Sequence, residues 1–379
     1  MMGVTLTLPF SLEIIERSVF MFKFEQREND VADNNSNLQA IMTGIRKIEI
    51  QPCPMPECGA DDIVVHMQYV GICGSDIHFL TEGRIGKKII DKPLVLGHEG
   101  AGIVVETGKN VTDIAVGDNV AIEPGIPCGK CEYCKSGKYN ICPDVRFMAS
   151  PPNHGCLKRY INYPAYMAFK LPDEFSLIEG AMLEPLCVGL HSAMRGEVKL
   201  GKTVAVLGAG PIGLMTMLSA KAMSASKIYV ADLFKKRLEN ARAFGADETF
   251  NASDGDIVDA ILEATYGKGV DIVFEAAGNP TTMVQAAKLV KRGGVIVLVG
   301  NLTKETTYPF HEIAVKEADI RTVFRYRNMY PIAIDAIKSG KIDLKQLNPD
   351  IFDFADTHKA FEYTIQNAKD IIKSIVKID

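Results

Sequence analysis

The chain has 379 residues, 47% hydrophobic and 23% charged, with 32 glycines, 18 prolines and a formal net charge of -5. That balance fits a soluble globular protein and excludes a disordered or collagen-like one, and it offers no overall basic face for nucleic acid. The length exceeds one ordinary core at about 150 residues per domain, so two domains with a cleft between them are expected, and a small neutral substrate suits such a chain.

Residues 1–40, "MMGVTLTLPFSLEIIERSVFMFKFEQRENDVADNNSNLQA", lack a basic start, and Glu13, Glu16 and Arg17 interrupt their apolar part. They read as an N-terminal extension of uncertain order and not as a signal peptide. No apolar run reaches about 18 uncharged residues, so neither a spanning helix nor a membrane partner is expected. Without an export signal a cytoplasmic location is expected, where clustered thiols bind metal or react more often than they pair.

From Ile41 the text is strand-like: "IRKIEI", "DIVVHMQYV", "GAGIVVETG" and "DNVAIEP" are short β-branched runs between turn residues. Near Glu184 the pattern changes. A helix "PLCVGLHSAMRG" leads into "KTVAVLGAGPIGLMTMLSAKAM" and "KIYVAD", which reads as a βαβ unit. Buried-strand runs "VDIVFEAAG", "GGVIVLVG" and "IRTVFRY" follow, alternating with helical text such as "PTTMVQAAKLVKR". Such continuous apolar runs suit a parallel sheet covered on both faces. Helices in "MYPIAIDAIKSGKI" and "THKAFEYTIQNAKD" precede a terminal strand "IIKSIVKID". The expected fold class is therefore α/β: a doubly wound parallel-sheet domain over 185–325, inserted into a mostly β domain formed by 41–184 and 326–379.

"LGAGPIG" sets Gly208, Gly210 and Gly213 in G-x-G-x-x-G spacing between a strand and a helix. The glycines allow a tight turn, close approach to a pyrophosphate and close helix packing, and Pro211 suits the first helical turn. The next strand ends in Asp232, nineteen residues past Gly213, where a carboxylate can bind an adenosine ribose and repel a 2′-phosphate. NAD is therefore expected over NADP, although Lys235, Lys236 and Arg237 could accept a phosphate.

Cys128, Cys131, Cys134 and Cys142 stand in C-x2-C-x2-C-x7-C order, the signal of a closed tetrahedral thiolate site. Cys142 is followed by Pro143, as in a ferredoxin run, but the seven-residue gap and the lack of a second run favour a structural zinc. "GICGSDIHF" and "LGHEG" offer a second set, Cys73, His98 and Glu99. Three protein ligands with room for a fourth is a catalytic count.

"GICGSDIH", "LGHEGAG", the four-cysteine lobe, "EPL" and "LGAGPIG", in this order, resemble the zinc-dependent medium-chain dehydrogenases. "GRIG", "FMASPP" and "FRYRNMYP" narrow the resemblance to the sorbitol (polyol) dehydrogenase branch, over Ile41 to Asp379. It implies a GroES-like catalytic domain, a Rossmann domain and NAD-linked oxidation of a secondary alcohol of a sugar alcohol to a ketose, through a zinc-stabilised alkoxide and hydride transfer. By the same resemblance Cys73, His98 and Glu99 match catalytic zinc positions, and Glu184 is a ligand or stands behind a zinc-bound water. Phe79, Glu184, Arg325 and Tyr326 match substrate-side positions. Ile212, Asp232, Arg237, Val299, Asn301 and Arg325 match cofactor contacts. Ser75 and Glu184, with His78 less firmly placed, form the expected proton exit. Retention of all four lobe cysteines implies two zinc ions per chain, and the family implies a homotetramer or dimer. Competing expectations are a zinc dehydrogenase for threonine, butanediol or a simple alcohol, a redox-silent NAD-binding protein, and a nucleic-acid-binding zinc ribbon. Loss of Cys128 is expected to cost stability or assembly before it alters substrate preference.

Overall fold

The computed structural model describes residues 36–302 and 305–378, so most of the expected N-terminal extension lies outside the described residues. The first strand, Asn37–Gly44, opens four residues ahead of Ile41, and Asn37 is buried with its side-chain amide bonded to Pro54 and Tyr160 carbonyls.

The β-rich half is organised on Asp62–Gly71. This strand pairs with Glu99–Thr107, with Tyr160–Pro164 and with the late strand Ser374–Lys377 in a seven-stranded sheet. Its inward Ile63, Val65 and Met67 are completely buried, as an alternating half-buried strand requires. The register sets Gly71 opposite Glu99, which places one of the expected ligands at the end of this sheet.

The second sheet has six parallel strands in the spatial order Glu248–Asn251, Lys227–Asp232, Thr203–Leu207, Val270–Glu275, Val290–Leu298 and Asp319–Thr322. The order reverses at Thr203–Leu207, the switch point beside which open α/β sheets bind ligands. All six residues of "VDIVFE" are buried, the pattern expected for a strand covered on both faces.

One helix, Leu177–Arg195, touches both halves. Ser176 caps it by accepting from the Glu179 N–H, and the Glu179 carboxylate accepts from the Ser176 N–H in return. A Cβ on Gly180 would stand 2.8 Å from the Ala101 Cβ in the β-rich half, and one on Gly189 would stand 2.4 Å from the Met215 carbonyl oxygen beside the parallel sheet. The apolar cluster around the helix accordingly joins Ala121 and Leu171 to Val204, Val206 and Ile272.

Three expectations are corrected. The helix expected to start at Pro185 begins at Leu177, because the Ser176–Glu179 box fixes the start and Pro185 lies inside. The helix expected to run through Arg292 stops at Leu289, and Val290 already pairs with Val270. The strand expected through Tyr326 ends at Thr322, and Arg325 adopts a left-handed backbone with φ of 55°.

Gly189→Ala is expected to cost about 1–3 kcal/mol, since its methyl group would collide with backbone that cannot rotate away. Gly255→Ala, with open space at its Cβ, should stay within about 0.5 kcal/mol of the parent. Urea unfolding midpoints of the two variants check this.

Candidate metal centres and active site

Cys73 ends the loop before the helix Gly74–Glu82 and acts as its N-cap, so its thiol sits at the positive end of the helix. Its backbone N–H donates to Asp76 Oδ2 at 3.1 Å, and the Gly97 N–H donates to Asp76 Oδ1 at 3.2 Å. One buried carboxylate thus ties the Cys73 loop to the turn before His98. Cys73, His98 and Glu99 present one ligand atom each, all within 4.8 Å of one another. Thiolate, imidazole and carboxylate at that spacing suit a zinc ion with bonds of about 2.0–2.3 Å.

The surroundings favour a cation. His98 and Glu99 are 5% and 1% exposed. Burial pushes the His98 imidazole down, but Asp76, whose Oδ1 is 3.4 Å from Nδ1, and Cys73 raise it well above its ordinary value. The field that would hold a proton there would equally hold a metal. Lys373, itself buried, forms an ion pair with Glu99 Oε2. Burial works against its charge, and Glu99 followed by Cys73 outweighs burial.

Glu184 projects from the middle of Leu177–Arg195, buried at 5% exposure. It is not the helix-start carboxylate that its place before Pro185 suggests. Burial pushes its carboxyl up to about 7, His98 opposes this and Glu99 adds to it. Tyr326 is 3% exposed with a hydroxyl that has no hydrogen-bond partner among the described residues. The Arg325 guanidinium lies 3.8 Å from the centre of the Phe147 ring, and that ring stands 5.4 Å from the His98 ring. Arg325, expected at the substrate side, is thereby linked through Phe147 to His98, and Tyr326 neighbours Glu184. Ser75 is half-buried beside Cys73. Phe79 is buried in the apolar cluster of the β-rich half, and His78 is exposed with Nδ1 3.1 Å from Glu82.

The four lobe cysteines also converge, with all sulfurs within 4.8 Å of one another and Cys131 Sγ 3.4 Å from Cys134 Sγ. That spacing fits a single tetrahedral ion. Between Cys134 and Cys142 the lobe carries two clamps. The Asn140 amide donates to the Phe324 carbonyl at 2.9 Å and accepts from Arg327 at 3.1 Å. The Tyr139 hydroxyl donates to Glu123 at 2.8 Å and accepts the Asn328 N–H at 2.6 Å. The lobe therefore grips both flanks of Arg325, a link that cysteine spacing does not reveal.

At the glycine turn, Gly208 has φ of 99°, and a Cβ on Gly213 would stand 1.8 Å from the Gly208 oxygen. Asp232 accepts from the Ala209 N–H at 2.7 Å and from the Phe234 N–H at 2.9 Å, with Arg237 Nη1 at 3.5 Å. Gly210 caps the helix Pro211–Ala222, Ile212 lies in its first turn, Val299 follows a central strand and Asn301 is exposed. Strand end, glycine turn and helix start form a cradle for a dinucleotide pyrophosphate.

Residues 59–173 match the family described as alcohol dehydrogenase GroES-like domain, and residues 211–339 match zinc-binding dehydrogenase. The chain is 44% identical over 346 residues to an uncharacterized zinc-type alcohol dehydrogenase-like protein, YdjJ, of Escherichia coli, covering 91% of this chain and 99% of the relative. It is 41% identical over 339 residues to the sorbitol dehydrogenase of Bacillus subtilis, covering 89% and 96%. A crystal structure of an Escherichia coli oxidoreductase of unknown specificity superposes with a TM-score of 0.87 at 43% identity, covering 91% and 99%. The chain belongs to the zinc-dependent medium-chain dehydrogenases, in their polyol branch. It is an oxidoreductase acting on CH–OH groups, with zinc and NAD(P) as cofactors.

Several residues of the site escape the sequence reading. Asp76 stands in "CGSDIH" as an N3 acid that a capping pattern would flag. Lys373 carries no such signal, since a lysine in a terminal strand reads as solvated. Lys373→Met should weaken zinc binding by about 10- to 100-fold, measured by competition with a chelator. Asn140→Ala should lower kcat/KM by about tenfold or more through displacement of Arg325, with zinc content unchanged by metal analysis.

Proposed function

We propose that the chain oxidises a secondary hydroxyl of a sugar alcohol to the ketose with NAD as hydride acceptor. What supports this reading is the convergence of Cys73, His98 and Glu99, with the buried Glu184 acting electrostatically on His98 and Glu99 and with Arg325 stacked on the Phe147 ring that stands beside His98. Cys73, His98 and Glu99 would hold the catalytic zinc, and Cys128, Cys131, Cys134 and Cys142 a structural one. What zinc supplies at the first site is Lewis acidity, of the kind that lowers the pKa of water from about 16 to about 7.

The chain's own residues do the rest. Asp76 orients the Cys73 loop and His98, and Lys373 holds Glu99 in place. Glu184, with its carboxyl at about 7, can accept a proton near neutral pH, and Ser75, half-buried beside Cys73, would carry it onward. Arg325 and the Tyr326 hydroxyl supply donors for a polyhydroxylated chain. Gly208, Gly210, Ile212, Gly213, Asp232, Arg237, Val299 and Asn301 would hold the cofactor. The Asp232 carboxylate beside the turn supports NAD over NADP through repulsion of a 2′-phosphate. A GroES-like domain over 41–184 and 326–379 around a Rossmann domain over 185–325, a homo-oligomeric assembly and a cytoplasmic location complete the reading. The homo-oligomeric assembly rests on the family alone.

The test is NADH formation by zinc-replete protein with sorbitol, xylitol, ribitol and galactitol, compared with threonine, butanediol and ethanol, and with NADP in place of NAD. Turnover confined to the second group would overturn the polyol reading. Cys73→Ser and His98→Ala should each lose about a thousandfold or more in kcat, the scale of several kcal/mol of transition-state stabilisation, while NADH fluorescence titration shows unaltered binding.

A further inference from the structure

Two cations near the pocket lack an anionic partner. Arg325 is largely withdrawn from solvent between the Phe147 and Phe324 rings, at 3.8 and 4.7 Å. The ring faces stabilise its charge but cannot accept its in-plane N–H groups, and Nη1 is buried with no hydrogen-bond partner among the described residues. Glu184 acts on it electrostatically, and no carboxylate among the described residues forms an ion pair with it.

Lys88 is the second cation. It lies in the short exposed strand Lys88–Ile89, and its ammonium donates to the hydroxyl of Ser150, which is 5% exposed. Ser150 follows Phe147 by three residues, on the segment whose ring carries Arg325. Burial followed by the Arg325 charge lowers the Lys88 pKa, which marks the two as neighbours. A guanidinium N–H buried without an acceptor, as in Arg325, is costly, and a ligand anion held there with the help of the neighbouring Lys88 would offset that cost.

We infer that the substrate is a polyhydroxylated chain ending in a carboxylate or phosphate, bound by Lys88 and the unpartnered Arg325 N–H while a secondary hydroxyl faces Cys73, His98 and Glu99. The inference rests on the proposed polyol oxidation and names the substrate class within it. The cofactor does not meet this need, because its pyrophosphate belongs at the Gly208 to Gly213 turn and its oxidised nicotinamide is itself cationic. Phe147 bridges the two ends, with its ring against both His98 and Arg325.

The experiment measures kcat/KM of zinc-replete protein with NAD for matched sets: sorbitol, D-gluconate and sorbitol 6-phosphate, then xylitol, D-xylonate and xylitol 5-phosphate. One anionic member of a set should exceed its neutral counterpart by about 30-fold or more, and Lys88→Met or Lys88→Gln should cut that preference by about tenfold. Gluconate or xylonate in front identifies carboxylates, and the esters in front identify phosphates. Calorimetric titration of the preferred anion into the NADH complex should show the same loss of affinity in the variants, and NADH binding with zinc content confirms that they are folded. Equal kcat/KM for neutral and anionic members, or a preference that both variants retain, overturns the inference and leaves polyol oxidation standing. Absence of turnover throughout overturns the polyol reading instead, and calorimetry without Lys88-dependent anion binding then removes the inference too.

Discussion

The arrangement of the site depends on the seating of Leu177–Arg195 against both halves. Gly180 lets the helix reach Ala101 and Leu171, and Gly189 lets it reach the Met215 backbone. Interiors are packed too densely to absorb a shift without loss. Glu184, on the buried stretch between those two contacts, is therefore fixed relative to His98 and Glu99 at the end of the β sheet and relative to the switch point of the parallel sheet. The pocket inherits its rigidity from two absent side chains.

Around that helix the site is an exercise in compensating buried charge. Glu99 is answered by Lys373, and Asp76 faces His98 while accepting two backbone N–H groups. These two acids, withdrawn from water beside the candidate ligands, each have a donor or cation against them, as the cost of burial requires. Arg325 and Lys88 are the exceptions, and exceptions of this kind collect at functional sites. The net charge of -5 says nothing about them. A pocket's field is set by a few side chains within several ångströms, so a chain acidic overall can hold a locally cationic cleft.

The fold class and the two metal clusters were legible because their information is local. Strand periodicity, a glycine turn and cysteine spacing are all written within a few dozen residues. The boundaries failed where two local signals competed: Pro185 suggested a helix start, while the Ser176–Glu179 box set the real one at Leu177, eight residues earlier. The site residues that escaped, Lys373, Lys88, Tyr139 and Asn140, act through partners far away in sequence. Glu99 meets Lys373, and Asn140 meets Phe324 and Arg327, only because strands and loops distant in the chain become neighbours in space. No periodicity encodes such pairs. Arg325 was legible through the family resemblance alone, since by itself it is an unremarkable strand-end residue, and its left-handed backbone and the lobe beneath it are features of the fold.

The ion pair between Glu99 and Lys373 also bears on how the protein comes into being. Synthesis delivers the chain from its N-terminus, so Cys73, His98 and Glu99 emerge well before Lys373 and the strand Ser374–Lys377 that completes their sheet. Until that strand docks on Asp62–Gly71, Glu99 has no ammonium beside it and Gly71 no neighbour on that edge. The nascent protein can assemble its cysteine lobe and its dinucleotide cradle early. The ammonium that offsets Glu99 is added only when this late strand docks, so the surroundings of the candidate catalytic centre are completed after its ligands have been made.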